Sequence, residues 1–176
     1  MNKIILYIAT SKDGFIADKN GGVDWLPQPK DDYDLEVVGY KDLMERIDII
    51  LMGSVSYKQI IGFGDWGWPD KQAYVFTSKP LESKVPYISI THDSPAQFIS
   101  TLENRKSEKD VWLLGGAGLA KSFAQQSLID EIILTIVPQD LGEGITLGLN
   151  LDGFDLCYEK SLMDGMTQRV YLREKA

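Results

Sequence analysis

The chain is 176 residues long, 44% hydrophobic, with 26 Asp and Glu against 18 Lys and Arg and a net charge of −8. That length and apolar share suit one domain, residues 1–176, with a proper core, while the negative charge and the want of any basic run count against a nucleic-acid partner. Cys157 is the only cysteine and His92 the only histidine, which excludes an intrachain disulfide, counts against a Cys/His zinc site and fits a reducing compartment.

The N-terminal MNKIILYIAT has one lysine and an apolar run too short for a secretion signal, and no apolar stretch of about 18 residues follows. A soluble, cytoplasmic protein with no membrane partner is expected. The first strand falls at Ile4–Ala9. The irregular stretch Thr10–Lys30 comes next, with Gly14, Gly21, Gly22, Pro27 and Pro29, and loops of that length are usually functional or disordered. A helix over Asp31–Arg46, a strand at Ile47–Met52, a helix at Val55–Ile61 and strands at Ala73–Thr77 and Tyr87–Ile90 continue the series. The helix Pro95–Asn104 has the clearest start, because Ser94 can cap it, Pro95 suits its first position and Gln97 completes a capping box.

A strand at Val111–Leu114, a helix at Ala117–Gln125 and a strand at Ile132–Val137 follow. The closing DLCYEKSLMDGMTQRVYLRE holds two alternating runs around Asp164-Gly165, a hairpin turn pair, so the last two strands should be antiparallel. Strands alternating with helices predict an α/β fold with a mixed sheet, and there is no repeat or linker to divide it.

The stretch LLGGAGLAKS, Leu113–Ser122, resembles a Walker loop, G-x-x-x-x-G-K-[ST], with Ala120 in place of the second glycine. It arrives after about two thirds of the chain, and the next strand ends in Pro138 rather than a magnesium-binding acid, so a degenerate P-loop ATPase is disfavoured. Gly116-x-Gly118 lacks the third glycine of a Rossmann fingerprint. The plain alternative is that these glycines only let a helix pack close to a strand. A strand entering Gly-Gly and then a helix N-terminus also makes a pyrophosphate site, since free N–H groups and the helix dipole point at the anion.

Four ordered segments, ATSKDGFIADKNGGVDW, IILMGSVSY, VFTSKP and LLGGAGLAKSF followed by IILTIVPQDLGEG, resemble the dihydrofolate reductase superfamily. The S-x-D-G-x-I-A signature at Ser11–Ala17 and the L-G-E-G turn at Leu141–Gly144 make the chain most similar to the reductase domain of the bifunctional riboflavin-biosynthesis deaminase-reductase and its stand-alone bacterial relatives. The resemblance implies a dihydrofolate reductase-like twisted mixed sheet with flanking helices. It implies NADPH across the carboxyl ends of the central strands, and a small pyrimidine- or pterin-type molecule reduced at a C=N or masked carbonyl.

By position, the resemblance gives Ala9 and Ile16 to the nicotinamide carboxamide, and Gly53, Ser54 and Ser56 to the phosphates. It gives Thr77 and Ser78 to the adenosine ribose, and Gly115, Gly116, Ala117, Gly118 and Leu119 to the pyrophosphate. It also implies a cis Gly115-Gly116 peptide, a loop Asp13–Asp24 closing over the reacting ring, and Thr135 beside the substrate. Two basic residues of dihydrofolate reductases are replaced by Ser54 and Gly118. Lys79 is the candidate partner for a 2′-phosphate, with NADH use left open. The deaminase half is absent, since one cysteine cannot make its zinc motif.

The resemblance places a proton-supplying carboxyl on the first helix. Asp31, after Trp25 and with apolar Leu35 one turn on, is the first candidate, Asp32 the second, and Asp24 and Asp34 stand behind them. Each could equally be a solvated first-turn acid favoured by the helix dipole. Trp25 is either core or site, the two tryptophans of GFGDWGWPD, Gly62–Asp70, either a rigid turn or a cleft wall, and His92 a surface residue. A nucleotide-binding module without turnover and a structural homodimer are the other function classes.

Overall fold

The computed structural model describes residues 2–83 and 85–174. In chain order the strands are β1 (Ile4–Ser11), β2 (Phe15–Ala17), β3 (Ile47–Gly53), β4 (Gln72–Phe76), β5 (Ile88–Thr91), β6 (Asp110–Gly115), β7 (Glu131–Val137), β8 (Ile145–Thr146), β9 (Phe154–Ser161) and β10 (Thr167–Arg173). The helices are α1 (Asp32–Val37), α2 (Tyr40–Arg46), α3 (Ser54–Phe63), α4 (Pro95–Leu102) and α5 (Ala117–Gln125). Eight strands form one sheet in the order β5-β4-β3-β6-β1-β7-β10-β9. Neighbours from β5 through β7 are parallel, and β10 pairs antiparallel with both β7 and β9.

Alternation along the strands builds two apolar layers, because successive side chains point to opposite faces. Leu6, Leu51 and Leu113 pack with Phe98 of α4 and Phe123 of α5, while Ile5, Ile50 and Trp112 pack with Leu43 of α2 and Tyr57 of α3. The central strands are buried on both faces, as parallel strands covered by helices must be. Trp66 and Trp68 belong to the second layer: Trp68 meets Trp112 edge-on at 5.4 Å, and its indole N–H donates to the Tyr40 hydroxyl at 2.6 Å. Of the two readings of Gly62–Asp70, the packed turn is the one found.

Each expected strand is present, and the turn at Asp164-Gly165 has both residues at positive φ, 54° and 73°. The capping box on α4 is formed, with Ser94 accepting from the Gln97 N–H. The pair β2 and β8 was not expected.

A single helix over Asp31–Arg46 is corrected to two, α1 and α2, parted at Val38-Gly39. Gly39 sits at φ 75°, which a glycine adopts without penalty. The carbonyls at the break are taken from the sheet side: Val38 accepts from the Tyr7 hydroxyl (3.0 Å) and Gln168 Nε2 (2.9 Å), and Val37 accepts from Lys160 Nζ (3.1 Å).

At the amino ends of the central strands, Arg46 bonds Glu131 through both terminal nitrogens at 2.9 Å and reaches Asp110 at 3.1 Å, while Lys3 reaches Glu131 at 3.2 Å. Burial alone would raise the Glu131 pKa; the bonds and charges of Arg46 and Lys3 outweigh it and hold the carboxyl below its usual range. This cluster ties β1, β6 and β7 together and leaves the opposite ends of the strands free for ligands.

Candidate functional site

The carboxyl ends of β3, β4 and β6 open on a cleft of about 840 Å³, the crevice in which open α/β sheets bind ligands. Two helices begin there, α3 after Gly53 and α5 after Gly116, and neither has a side-chain cap. Their first N–H groups are therefore available to an acceptor, with the positive ends of both helix dipoles beside them. By contrast α4, whose first residue Pro95 also lines the cleft, is capped by Ser94, and α1, which starts elsewhere, is capped by Asp31. The peptide joining Gly115 to Gly116 is cis. A Cβ built on Gly116 would lie 3.2 Å from Ser56 Oγ, so the two glycine-led turns touch.

Thr77, Ser78, Lys79, Lys58 and His92 line the far part of the same cleft. Thr77 Oγ1 accepts from the Lys79 N–H at 3.1 Å, and His92 Nδ1 lies 2.7 Å from the Thr77 carbonyl, so that nitrogen donates there. Ile16, Ala17 and Gly21 bring the loop after β1 across the opening, where Gln59 Nε2 donates to the Gly21 carbonyl at 2.8 Å.

A second cavity, about 260 Å³, lies between the carboxyl half of β1, β7, α1 and the β9–β10 turn. Its walls are mostly apolar, including Leu26, Val38, Met163 and Met166, with Asp34 and Thr135 among the polar groups. Asp34 is half-buried and held by its neighbours: Oδ2 accepts from the Lys30 N–H at 2.8 Å, and its own N–H donates to Asp31 Oδ1 at 3.0 Å. Buried Thr135 accepts from Gln168 Nε2 at 3.0 Å, which leaves its hydroxyl proton to donate. Burial, with Tyr40 nearby, pushes the Tyr7 hydroxyl well above the usual phenol range, so it stays protonated and donates to Val38. Gly115, just before the cleft residue Gly116, approaches the wall of the smaller cavity: a Cβ on it would sit 3.7 Å from Ile8 Cδ1.

The two signature segments meet at the loop's root. Asp13 accepts from Ser11 Oγ (2.6 Å), Leu141 N (3.1 Å) and Gly142 N (2.7 Å). A Cβ on Gly144 would collide with the Ala17 carbonyl, so the second glycine of L-G-E-G permits the close pairing of β2 with β8.

The nucleotide residues expected from the sequence gather in one place: Ile16, Gly53, Ser54, Ser56, Thr77, Ser78, Lys79 and the run Gly116–Leu119 all line the large cleft. Gly115 stands just behind it, and Ala9 faces the smaller cavity. The expected acids are placed otherwise. Asp31 spends its carboxylate capping α1, and Asp32 is exposed beside Lys41 at 3.8 Å. Neither lines the smaller cavity, and nor do Asp24, Trp25 or Leu35; Asp34 and Thr135 do. The indole N–H of Trp25 is buried without a partner. Lys121, which a P-loop would aim at phosphate, is exposed and outside the lining of the large cleft. Lys58 and His92 were not foreseen there. Helical spacing from Ser54 could have revealed Lys58, whereas His92 arrives only through the pairing of β5 with β4.

No helix among the described residues is long and apolar enough to cross a membrane. The solved structure of a Shewanella sp. PV-4 protein, described provisionally as a riboflavin biosynthesis protein, is 30% identical with a TM-score of 0.83, covering 98% of this chain and 99% of that one. Two more distant structures share the fold. The Thermotoga maritima diaminohydroxyphosphoribosylaminopyrimidine deaminase/5-amino-6-(5-phosphoribosylamino)uracil reductase has 15% identity and a TM-score of 0.70, covering 98% of this chain and 56% of that one. Enterococcus faecalis dihydrofolate reductase, complexed with NADP(H) and RAB-propyl, has 14% identity and a TM-score of 0.72, covering 98% and 97%. The uncharacterized Bacillus subtilis (strain 168) protein YwjB is 33% identical over 146 residues, 82% of each chain. YyaP of the same strain, also uncharacterized, is 31% identical across 96% of this chain and 94% of its own. The model of the RibD C-terminal domain matches residues 2–155, and with the dihydrofolate reductase-like sheet and its glycine-led cleft, the chain belongs to the RibD C-terminal domain family.

Proposed function

We propose that the protein is an NADPH-dependent reductase acting on a C=N or masked carbonyl of a small pyrimidine- or pterin-type molecule, chemistry of the kind named for the Thermotoga maritima relative. The observation that carries this reading is the pair of uncapped helices, α3 and α5, opening on one cleft beside Lys58, Lys79 and His92. Backbone donors and cations concentrated there fit a pyrophosphate with a further phosphate at the Lys79 end, which favours NADPH over NADH.

The dinucleotide, when bound, supplies a hydride. The chain's residues do the rest. Gly53, Ser54, Ser56 and the Gly116–Leu119 run hold the phosphates, Thr77 and Ser78 flank the ribose, and Ala9 of the smaller cavity and Ile16 of the large cleft would bracket the nicotinamide. The loop through Ile16 and Gly21 keeps water out. Asp34, rather than Asp31, is the acid we assign, because its carboxylate faces the smaller cavity and is steadied by the Lys30 and Asp31 contacts.

The test joins affinity to stability. Gly118 lies inside α5 with open space around its Cβ position, so Gly118→Ala should stabilise the free protein by about 0.5–1 kcal/mol. The same change should weaken NADPH binding, measured by tryptophan quenching, and Gly116→Val should abolish it. Asp34→Asn should leave NADPH affinity nearly unchanged and lower turnover by roughly 10²–10⁴, whereas Asp32→Asn should matter little. A protein that NADPH does not stabilise, but ATP with magnesium does, would sink the reductase reading. NADPH binding without oxidation under any pyrimidine or pterin would leave a binding module.

A further inference from the structure

The two cavities differ in charge. The cleft assigned to the dinucleotide carries Lys58 and Lys79 against one acid, Asp93, and has two uncapped helix N-termini, whereas among the described residues the charged side chains on the wall of the smaller cavity are the acids Asp34 and Asp164. Cations nearby are committed elsewhere or turned outward. Lys160 Nζ bonds the Val37 carbonyl at 3.1 Å, and Lys30 reaches Asp34 only through its backbone N–H, with its side chain outside the lining. The polar side chains that remain are Thr135, which accepts from Gln168 Nε2 and keeps its proton free, Tyr7, whose proton is spent on the Val38 carbonyl, Gln28 at the rim, and the carboxylates.

From this we infer that the substrate of the smaller cavity is a flat nitrogen heterocycle, rich in N–H donors, neutral or protonated, and carrying no phosphate. The inference rests on the reading of this cavity as the substrate site and departs from the phosphoribosyl compound named for the Thermotoga maritima relative. A phosphate brought into this cavity would leave water for a wall of aliphatic side chains and two like charges, and burying a charge without a partner is strongly unfavourable. A ring with N–H groups instead gives the carboxylates donors and lays its faces against Leu26, Val38 and Met166. At about 260 Å³ the cavity suits a ring system, so a sugar phosphate would extend to the mouth, where the exposed residues on the wall include Gln28, Pro29 and the acid Asp164.

The test is calorimetric binding of a matched pair, 5-amino-6-(ribosylamino)uracil and its 5′-phosphate, together with 2,4-diaminopyrimidine, each with and without NADPH. The unphosphorylated compound should bind at least about tenfold more tightly than its phosphate, and 2,4-diaminopyrimidine should bind as well. Gln28→Lys, on an exposed rim position, should narrow or reverse the gap by favouring the phosphate. Equal or tighter binding of the phosphate to the unaltered protein overturns the inference, as does failure of all three compounds to bind. Titrating NADPH alone separates the two readings: a chain that ignores NADPH yet prefers the unphosphorylated ring loses the reductase assignment and keeps this one.

Discussion

Asp13 accepts the Gly142 N–H at 2.7 Å across 129 residues of sequence, so the loop that crosses the large cleft is anchored to the turn after β7. The Ser11 hydroxyl is the largest cause holding the Asp13 carboxyl below its usual range; desolvation opposes it, and the Gly142 and Leu141 N–H groups add to the lowering. A depressed folded pKa means that the tie is fully present above the unfolded value of about 3.9 and is lost as pH falls through the lower folded one. Asp13→Ala should therefore reduce hydrogen-exchange protection at Leu141 and Gly142 at neutral pH and weaken NADPH binding. In the unaltered protein the same protection should vanish only in strong acid. Unchanged protection in the variant would show that the turn holds itself.

The cluster at the other end of the sheet should govern acid stability. Glu131→Gln leaves Arg46 facing Asp110 alone, and the expected loss is about 2 kcal/mol in urea unfolding, less than for a fully buried pair because Arg46 is 35% exposed. Since the Glu131 pKa is lowered on folding, its contribution is complete above the unfolded value of about 4.3 and fades as pH drops through the folded one. The stability difference between the variant and the unaltered protein should shrink over that acidic window; a constant difference would mean that packing, not charge, is what the substitution disturbs.

Most of the sheet could be read from the sequence because β-branched runs such as IILYIA and EIILTIV recur between turn residues, a local signal. The parting of α1 from α2 could not. Its Val37 and Val38 carbonyls are claimed by Lys160 and Gln168, 123 and 130 residues away, and no window along the chain contains both partners. That the residues of the large cleft would gather was legible because glycines before helices keep their order in the chain. Which acid lines the smaller cavity could not be read from the sequence, for a local reason: an Asp just ahead of a helix is first a cap, so the Asp31 carboxylate is spent on the Asp34 N–H and it is Asp34, three residues on, that lines the cavity.

Gln168 joins that break to the cavity wall through its two bonds, to the Val38 carbonyl and to Thr135. Gln168→Leu should cost about 1–3 kcal/mol, since it strips a buried hydroxyl and one of the two donors to Val38. Thr135 then loses its fixed orientation, so KM for the substrate should rise more than NADPH affinity falls. Denaturant unfolding and steady-state kinetics read the two effects separately, and a stable variant with unaltered KM would remove Gln168 from the positioning of Thr135.

The hairpin that closes the sheet offers a reporter. Cys157 is the sole cysteine, is exposed, and lies on β9 where pairing with β10 is irregular between Val170 and Tyr171. The turn joining the same two strands supplies Met163, Asp164 and Met166 to the smaller cavity. A maleimide dye or nitroxide attached to the native chain would therefore sit on the same β-hairpin as one wall of that cavity without itself lining it. Ligand arrival could then be followed as a change in emission or probe mobility, with no engineered attachment point.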